Sequence, residues 1–277
     1  MNKLQSTVHF ISNLQEIRIN NFFIKLAFLG PVFFLCFQNN SFALTSLNIA
    51  IIDTGFCPDK IKIENIKIDN VIDLTESVKL DCSSSKFNIH SPRFHGQLVL
   101  EEFLKFFDHK KKSIHFYPLI VFNERGDQKS EYWIKAIEWI KKNKIDVVVT
   151  ASGFITNDKL VSELPAIWFV PSGRVTPQIK KESGLFPQNL APKENLFIIG
   201  DFYAGRQVLY DSGLLFQDKI DYFFPSGEKG FEGTSRAVAE GSARALNLCP
   251  LITMRECLKK HGVLYNDNLS RRKIQTF

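Results

Sequence analysis

Three short segments carry side chains suited to acyl transfer. Asp53 closes an apolar run in Ile49-Ala50-Ile51-Ile52-Asp53-Thr54-Gly55, His95 opens His95-Gly96-Gln97-Leu98-Val99, and Ser235 stands in Gly233-Thr234-Ser235-Arg236-Ala237. A serine hydroxyl is a weak nucleophile until an imidazole takes its proton. The imidazole in turn needs a carboxylate that fixes its tautomer and steadies the cation that forms. A serine at a helix N-terminus also presents its own backbone N–H, and the positive end of the helix dipole, to developing negative charge. Taken singly the motifs say little, since Gly-Thr-Ser is a common helix cap. His90, His109, His115 and His261 are read as surface or structural residues.

These residues need a frame that brings distant segments together. From Leu47 the chain alternates short apolar runs with helical patterns, as a parallel sheet covered by helices on both faces is written. Strands are expected at Leu47–Ile52, Ile114–Phe122, Asp146–Thr150, Ala166–Val170, Leu196–Gly200 and Ile220–Phe224. Between two of them, Trp133, Ile134, Ile137 and Ile140 recur at helical spacing, so Ser130–Lys142 is read as an amphipathic helix closed by Asn143. The small residues from Ser235 to Leu248 suit a helix packed tightly between layers. The expected fold is a three-layer, doubly wound α/β domain with a mostly parallel sheet. In such folds functional groups gather at the carboxyl ends of the strands, where Asp53, Gly153 and Arg174 fall.

The Asp, His and Ser segments, in that order, resemble the three signature blocks of the subtilisin-like serine proteases. Lys135–Ile140 followed by Asp146-Val147-Val148 is similar to the helix and strand before that family's substrate-binding edge. Asp221–Gly227 resembles its Ala-Pro-Gly segment. The likeness spans nearly all of residues 47–248. It implies a serine endopeptidase in which Asp53 orients His95, His95 is the base and Ser235 forms an acyl-enzyme. Ala151-Ser152-Gly153 takes the place of the edge on which a peptide substrate adds as a strand.

The chain departs from the family at several places. Where the family presents an Asn amide to the oxyanion, Phe169–Arg174 ends in Arg174, an always-charged donor read as a candidate for stabilising the oxyanion, though it is longer and could disfavour the imidazolium on His95. After His95 the expected Thr-His is Gln97-Leu98, and after Ser235 the expected Met, small residues, Pro and His are replaced by Arg236–Glu240. These changes are read as reshaping packing. A second reading is therefore a pseudoprotease that binds peptides or a partner without cleaving them. A remote one is an aspartic protease pairing Asp53 with Asp211 in Asp211-Ser212-Gly213, which needs an all-β fold. An α/β-hydrolase is disfavoured because no Gly-x-Ser-x-Gly elbow occurs.

The remaining properties set the context. Lys3, Arg18 and Lys25 precede an apolar run, Leu26–Phe37, then Ser41-Phe42-Ala43, so residues 1–43 read as a signal peptide and 44–277 as the peptidase domain. The rival reading of 1–43 is an uncleaved membrane-anchoring segment. No propeptide separates the two regions, so the domain folds unaided or with a separate helper chain. Of 35 basic and 29 acidic residues, three and one lie in 1–43, leaving +4 for the remainder; the dense run His109–Lys112 is read as a solvated loop, not a nucleic-acid footprint. Cys57, Cys82, Cys249 and Cys257 remain after removal of Cys36 and suggest two disulfides in an exported protein. Three pairings are possible, short loop closure favours Cys57–Cys82 and Cys249–Cys257, and the absence of any Cys-x-x-Cys argues against zinc. A monomer is expected, in the periplasm or outside the cell. The chemistry needs no cofactor, and structural calcium is left open.

Overall fold

A computed structural model of the chain describes residues 46–83, 87–177, 179–180, 183–203, 208–209, 213–227, 230–266 and 273–277. The expected signal segment and Asp211 lie outside the described residues.

The chain begins with β1 (Leu47–Asp53), β2 (Ile66–Ile68), β3 (Ile72–Asp73), α1 (His95–Phe106), β4 (Ile114–Ile120) and α2 (Ser130–Lys142). It continues through β5 (Val147–Thr150), β6 (Phe154–Ile155), β7 (Ile167–Pro171), β8 (Leu185–Phe186), β9 (Leu196–Tyr203), β10 (Val208–Leu209) and β11 (Tyr222–Pro225). The last elements are α3 (Thr234–Leu248), α4 (Met254–His261) and the hairpin strands β12 (Val263–Asn266) and β13 (Lys273–Thr276). All six expected strands form, as β1, β4, β5, β7, β9 and β11. Strand β9 runs on to Tyr203 because β10 and β11 extend its pairing, and β11 starts at Tyr222 because Gln217–Lys219 turns as a 3₁₀ helix. The α2 helix has the expected bounds.

The principal sheet runs β2-β4-β1-β5-β7-β9, with β11 parallel to β9, β3 parallel to β4 and only β10 antiparallel. Chain order reverses between β1 and β5, which opens a crevice at their carboxyl ends. Side chains along β1 alternate between the sheet's two faces, as a period of two requires. Ile49 and Ile51 join Val99, Leu100 and Phe103 of α1 and Ala237, Val238 and Ala239 of α3. Ala50 and Ile52 join Trp133, Ala136, Ile137 and Ile140 of α2. The fold is thus a three-layer α/β domain. Helix α3 needs its small residues: a Cβ on Gly241 would lie 2.7 Å from the Phe224 ring on β11.

Two disulfides close Cys57 to Cys82 and Cys249 to Cys257, with Cα atoms 5.7 and 5.8 Å apart. They suit an oxidising, exported compartment. No helix among the described residues is long and apolar enough to cross a membrane. The first bridge closes a separation of 25 residues between β1 and α1. Replacing both Cys57 and Cys82 by serine is expected to lower stability by about 3 kcal/mol, a loss set mainly by loop-closure entropy. Chemical denaturation of the two proteins measures it, and an unchanged midpoint would contradict the expectation.

Candidate active site

Asp53 is the last residue of β1 and fully buried. Its Oδ1 accepts the Thr54 N–H at 2.7 Å and faces His95 Nδ1 at 2.8 Å, while Oδ2 is buried without a partner. A carboxylate can only accept, so the proton of the neutral ring belongs on Nδ1 and the Nε2 lone pair is left open. His95 is the first residue of α1, and the turn ahead of it is laced to the loop after β1. Gly55 N–H donates to the Arg93 carbonyl (2.7 Å), Gln97 N–H to the Gly55 carbonyl (3.2 Å) and Gly96 N–H to Thr54 Oγ1 (3.3 Å). A Cβ on Gly96 would meet the Phe56 ring at 2.5 Å, so this crossing leaves room for glycine alone.

Gln97 is buried, accepts the Cys57 N–H at 2.9 Å and donates to Glu101 at 2.9 Å. Its role is structural. The His95 ring stands edge-on to Phe231, with centroids 5.6 Å apart. Burial by itself pulls the His95 pKa down, but the charge of Asp53 and its hydrogen bond outweigh this, and the net shift is upward.

Ser235 is the second residue of α3, just past Gly233, whose φ of +83° is left-handed backbone suited to glycine. Its Oγ donates to the Ala151 carbonyl at 3.3 Å. Ala151 directly follows β5, and Thr150 at the end of β5 pairs with Ile52, the neighbour of Asp53. The Asp53–His95 pair and the Ser235 hydroxyl therefore meet the carboxyl ends of the adjacent strands β1 and β5 at the switch point. Among the described residues no hydrogen bond joins His95 to Ser235. Their helices are tied instead by Arg236, which reaches Glu102 of α1 at 2.9 Å, Glu240 at 2.8 Å and the Pro225 carbonyl at 2.7 Å. Both carboxylates are buried, so Arg236 is a charged rivet between the two helices.

Arg174 lies just past β7, and its guanidinium forms an ion pair with Asp201 of β9, which is fully buried. Arg174 Nε lies 3.9 Å from where a Cβ on Gly233 would sit. The cation is thus drawn against the turn that leads into Ser235.

The expected substrate edge follows β5 but is engaged internally. Ser152 N–H donates to Thr150 Oγ1 at 3.2 Å, the Gly153 carbonyl accepts from Gln128 Nε2 at 3.2 Å, and the Ala151 carbonyl accepts from Ser235. A Cβ on Gly153 would lie 2.9 Å from Oε1 of the buried Gln188. Thr54, Gly55, Leu80, Pro92, Ile120 and Phe122 line a cavity of about 500 Å³.

Sequence reasoning missed Asp201, Gln128 and Gln188, because each acts through a partner 17 to 27 positions away. It also missed a second Asp–His pair: His115 Nε2 lies 2.9 Å from Asp69, and its Nδ1 lies 2.9 Å from the Tyr117 hydroxyl. That pair sits near the amino end of β4, opposite Asn48, away from the carboxyl crevice. Among the described residues no group of three or more His, Cys, Asp or Glu is gathered as metal ligands would be. The chain matches no protein-family model and no curated protein.

Proposed function

We propose that the chain is an exported serine endopeptidase of the subtilisin-like class, acting as a monomer on polypeptides in the periplasm or outside the cell. The observation that carries this reading is the 2.8 Å contact of buried Asp53 with His95 Nδ1, with Ser235 at the head of α3 on the adjoining strand end. The sheet order and the Asp-His-Ser chain order agree with it, and so does the likeness of the flanking segments. The aspartic-protease reading loses its support: the sheet is mostly parallel rather than part of an all-β fold, and the partner of Asp53 is an imidazole.

In the proposed reaction Ser235 Oγ leaves the Ala151 carbonyl by rotation about its Cα–Cβ bond. Such contacts are often loose before substrate binds. Oγ attacks the scissile carbonyl carbon as its proton passes to His95 Nε2, and the carbonyl π pair moves onto oxygen. The oxyanion is received by the Ser235 backbone N–H and Arg174. Collapse breaks the C–N bond, His95 returns its proton to the amine, and water repeats the cycle on the acyl-enzyme. No cofactor takes part.

The test is covalent labelling of the purified wild-type protein by a fluorophosphonate, followed by peptide mapping. Modification at Ser235 supports the reading, and a protein that stays unlabelled across pH 6–10 overturns it. Arg174→Asn introduces the side-chain amide that the subtilisin-like family presents at this place. It is expected to change the labelling rate by about 10-fold or more, given the 10²–10³ effect of one oxyanion donor, and to lower the unfolding temperature as well, because buried Asp201 loses its cation.

One observation favours a second reading, a peptide-binding pseudopeptidase. The Ser235 hydroxyl and the edge carbonyls of Ala151 and Gly153 are all satisfied within the chain. This reading expects a peptide ligand to bind without Ser235 ever being labelled.

A further inference from the structure

An arginine beside the nucleophile poses an electrostatic problem. Its charge helps an oxyanion but opposes the imidazolium that must form on His95, and a fixed cation in a partly dry crevice acts at longer range than one in water. Asp201 is a carboxylate that meets it. The residue sits on β9, between Pro171's neighbour Ile199 and the β10 pairing, with Phe224 of β11 on its other side. It is fully buried, and its Oδ2 binds the Arg174 guanidinium while Oδ1 is buried without a partner. A carboxylate withdrawn from water in this way depends on its cation, because a buried charge is tolerated only when paired. The pair spans from β9 to the turn ahead of α3, where Arg174 Nε approaches Gly233, two residues before Ser235.

We propose that Asp201 is a positioning residue that holds the Arg174 guanidinium against the Gly233–Ser235 turn and cancels its charge, so that Arg174 donates to the oxyanion without opposing protonation of His95. The assignment rests on the peptidase reading above. The pair then does the work of a neutral side-chain amide: N–H donors face the reaction while the net charge stays near zero. Asp201 touches neither substrate nor reacting atoms and acts only through Arg174. The other charged groups on the elements around His95 are Asp53 on β1, Arg93 in the turn before α1, Glu101, Glu102 and Lys105 on α1, Glu232 beside Phe231, and Arg236, Glu240 and Arg244 on α3. Of these, Arg236, Lys105 and Arg244 are engaged by Glu102 or Glu240. None is altered in the variants below.

The experiment follows the His95 ring by NMR titration alongside the fluorophosphonate labelling rate, in the full-length protein after export. Asp201→Asn keeps the shape and one acceptor for Arg174 but uncovers its charge. The His95 titration is expected to move to lower pH by on the order of half a unit, with labelling slowed about 10-fold. In the double variant Asp201→Asn with Arg174→Met the titration returns to its wild-type position while labelling stays slow, because both charges and the donor are gone. A purely structural role for Asp201 would slow labelling without moving the titration, and that result overturns the proposal. Should Asp201→Asn alone fail to fold, the double variant carries the test, because it removes both charges together, and a His95 titration displaced from its wild-type position overturns the proposal. If the wild type is never labelled but the titrations move as stated, the charge-cancelling role stands and the peptidase reading alone fails.

Discussion

Ser235→Ala is expected to abolish fluorophosphonate labelling and to lower peptide hydrolysis by about 10⁶ in kcat, the size of effect seen when the nucleophile of such a triad is removed. The fold should survive. The hydroxyl makes one hydrogen bond, 3.3 Å to the Ala151 carbonyl, and losing a single neutral hydrogen bond costs about 1 kcal/mol. Alanine also suits the second position of α3, a helix already rich in small residues. A kinetic assay paired with a thermal melt decides the matter. Full hydrolysis by a folded alanine variant would remove Ser235 from the mechanism.

Asp53→Asn should cost about 10⁴ in kcat, through the tautomer rather than through position. In the wild type a single oxygen, Oδ1, receives both the Thr54 N–H and the proton on His95 Nδ1. An asparagine that puts its NH₂ in the Oδ1 place gives up the Thr54 N–H, turns a donor toward the ring and demands a bare Nδ1. The ring proton then moves to Nε2, where a base must have a lone pair. The pH profile carries an independent signature. A base acts as the neutral ring, and Asp53 lifts the His95 pKa above the ordinary imidazole value despite burial, so under the proposed mechanism wild-type activity is expected to rise only above that raised value. Removing the carboxylate lets the onset fall to lower pH, even as the plateau drops. The stability linkage has the matching sign: because the folded pKa is raised, the Asp53–His95 contribution is complete below the ordinary imidazole value and fades as pH climbs through the folded one. An Asp53→Asn variant with an unshifted onset would show that the carboxylate does not govern the ring.

Much of the frame was legible in the residues. Helix α2 was delimited correctly because its apolar positions recur every three or four residues and Lys or Glu fills the rest. The strands of the sheet's centre were legible because strands buried on both faces read as continuous apolar runs. The disulfide pairing followed from loop length. The short strands β2, β3, β6 and β8 were not foreseen. With two or three residues each, they have no periodicity of their own and form only because a neighbour offers a free edge.

The sequence by itself determined which side chains were available for chemistry, that Asp53 would end a buried strand, and that His95 and Ser235 would open helices. These are local properties, set by hydrophobic period and by the chemistry of helix starts. Only the tertiary structure decided the partners. It set Asp53 on Nδ1 of His95, turned the Ser235 hydroxyl to Ala151, filled the edge carbonyl of Gly153 with Gln128, and gave Arg174 a buried counter-charge in Asp201. Hydrogen bonds and ion pairs of this kind join residues far apart in the chain. Their geometry comes from the order in which strands assemble, and no local pattern encodes that order.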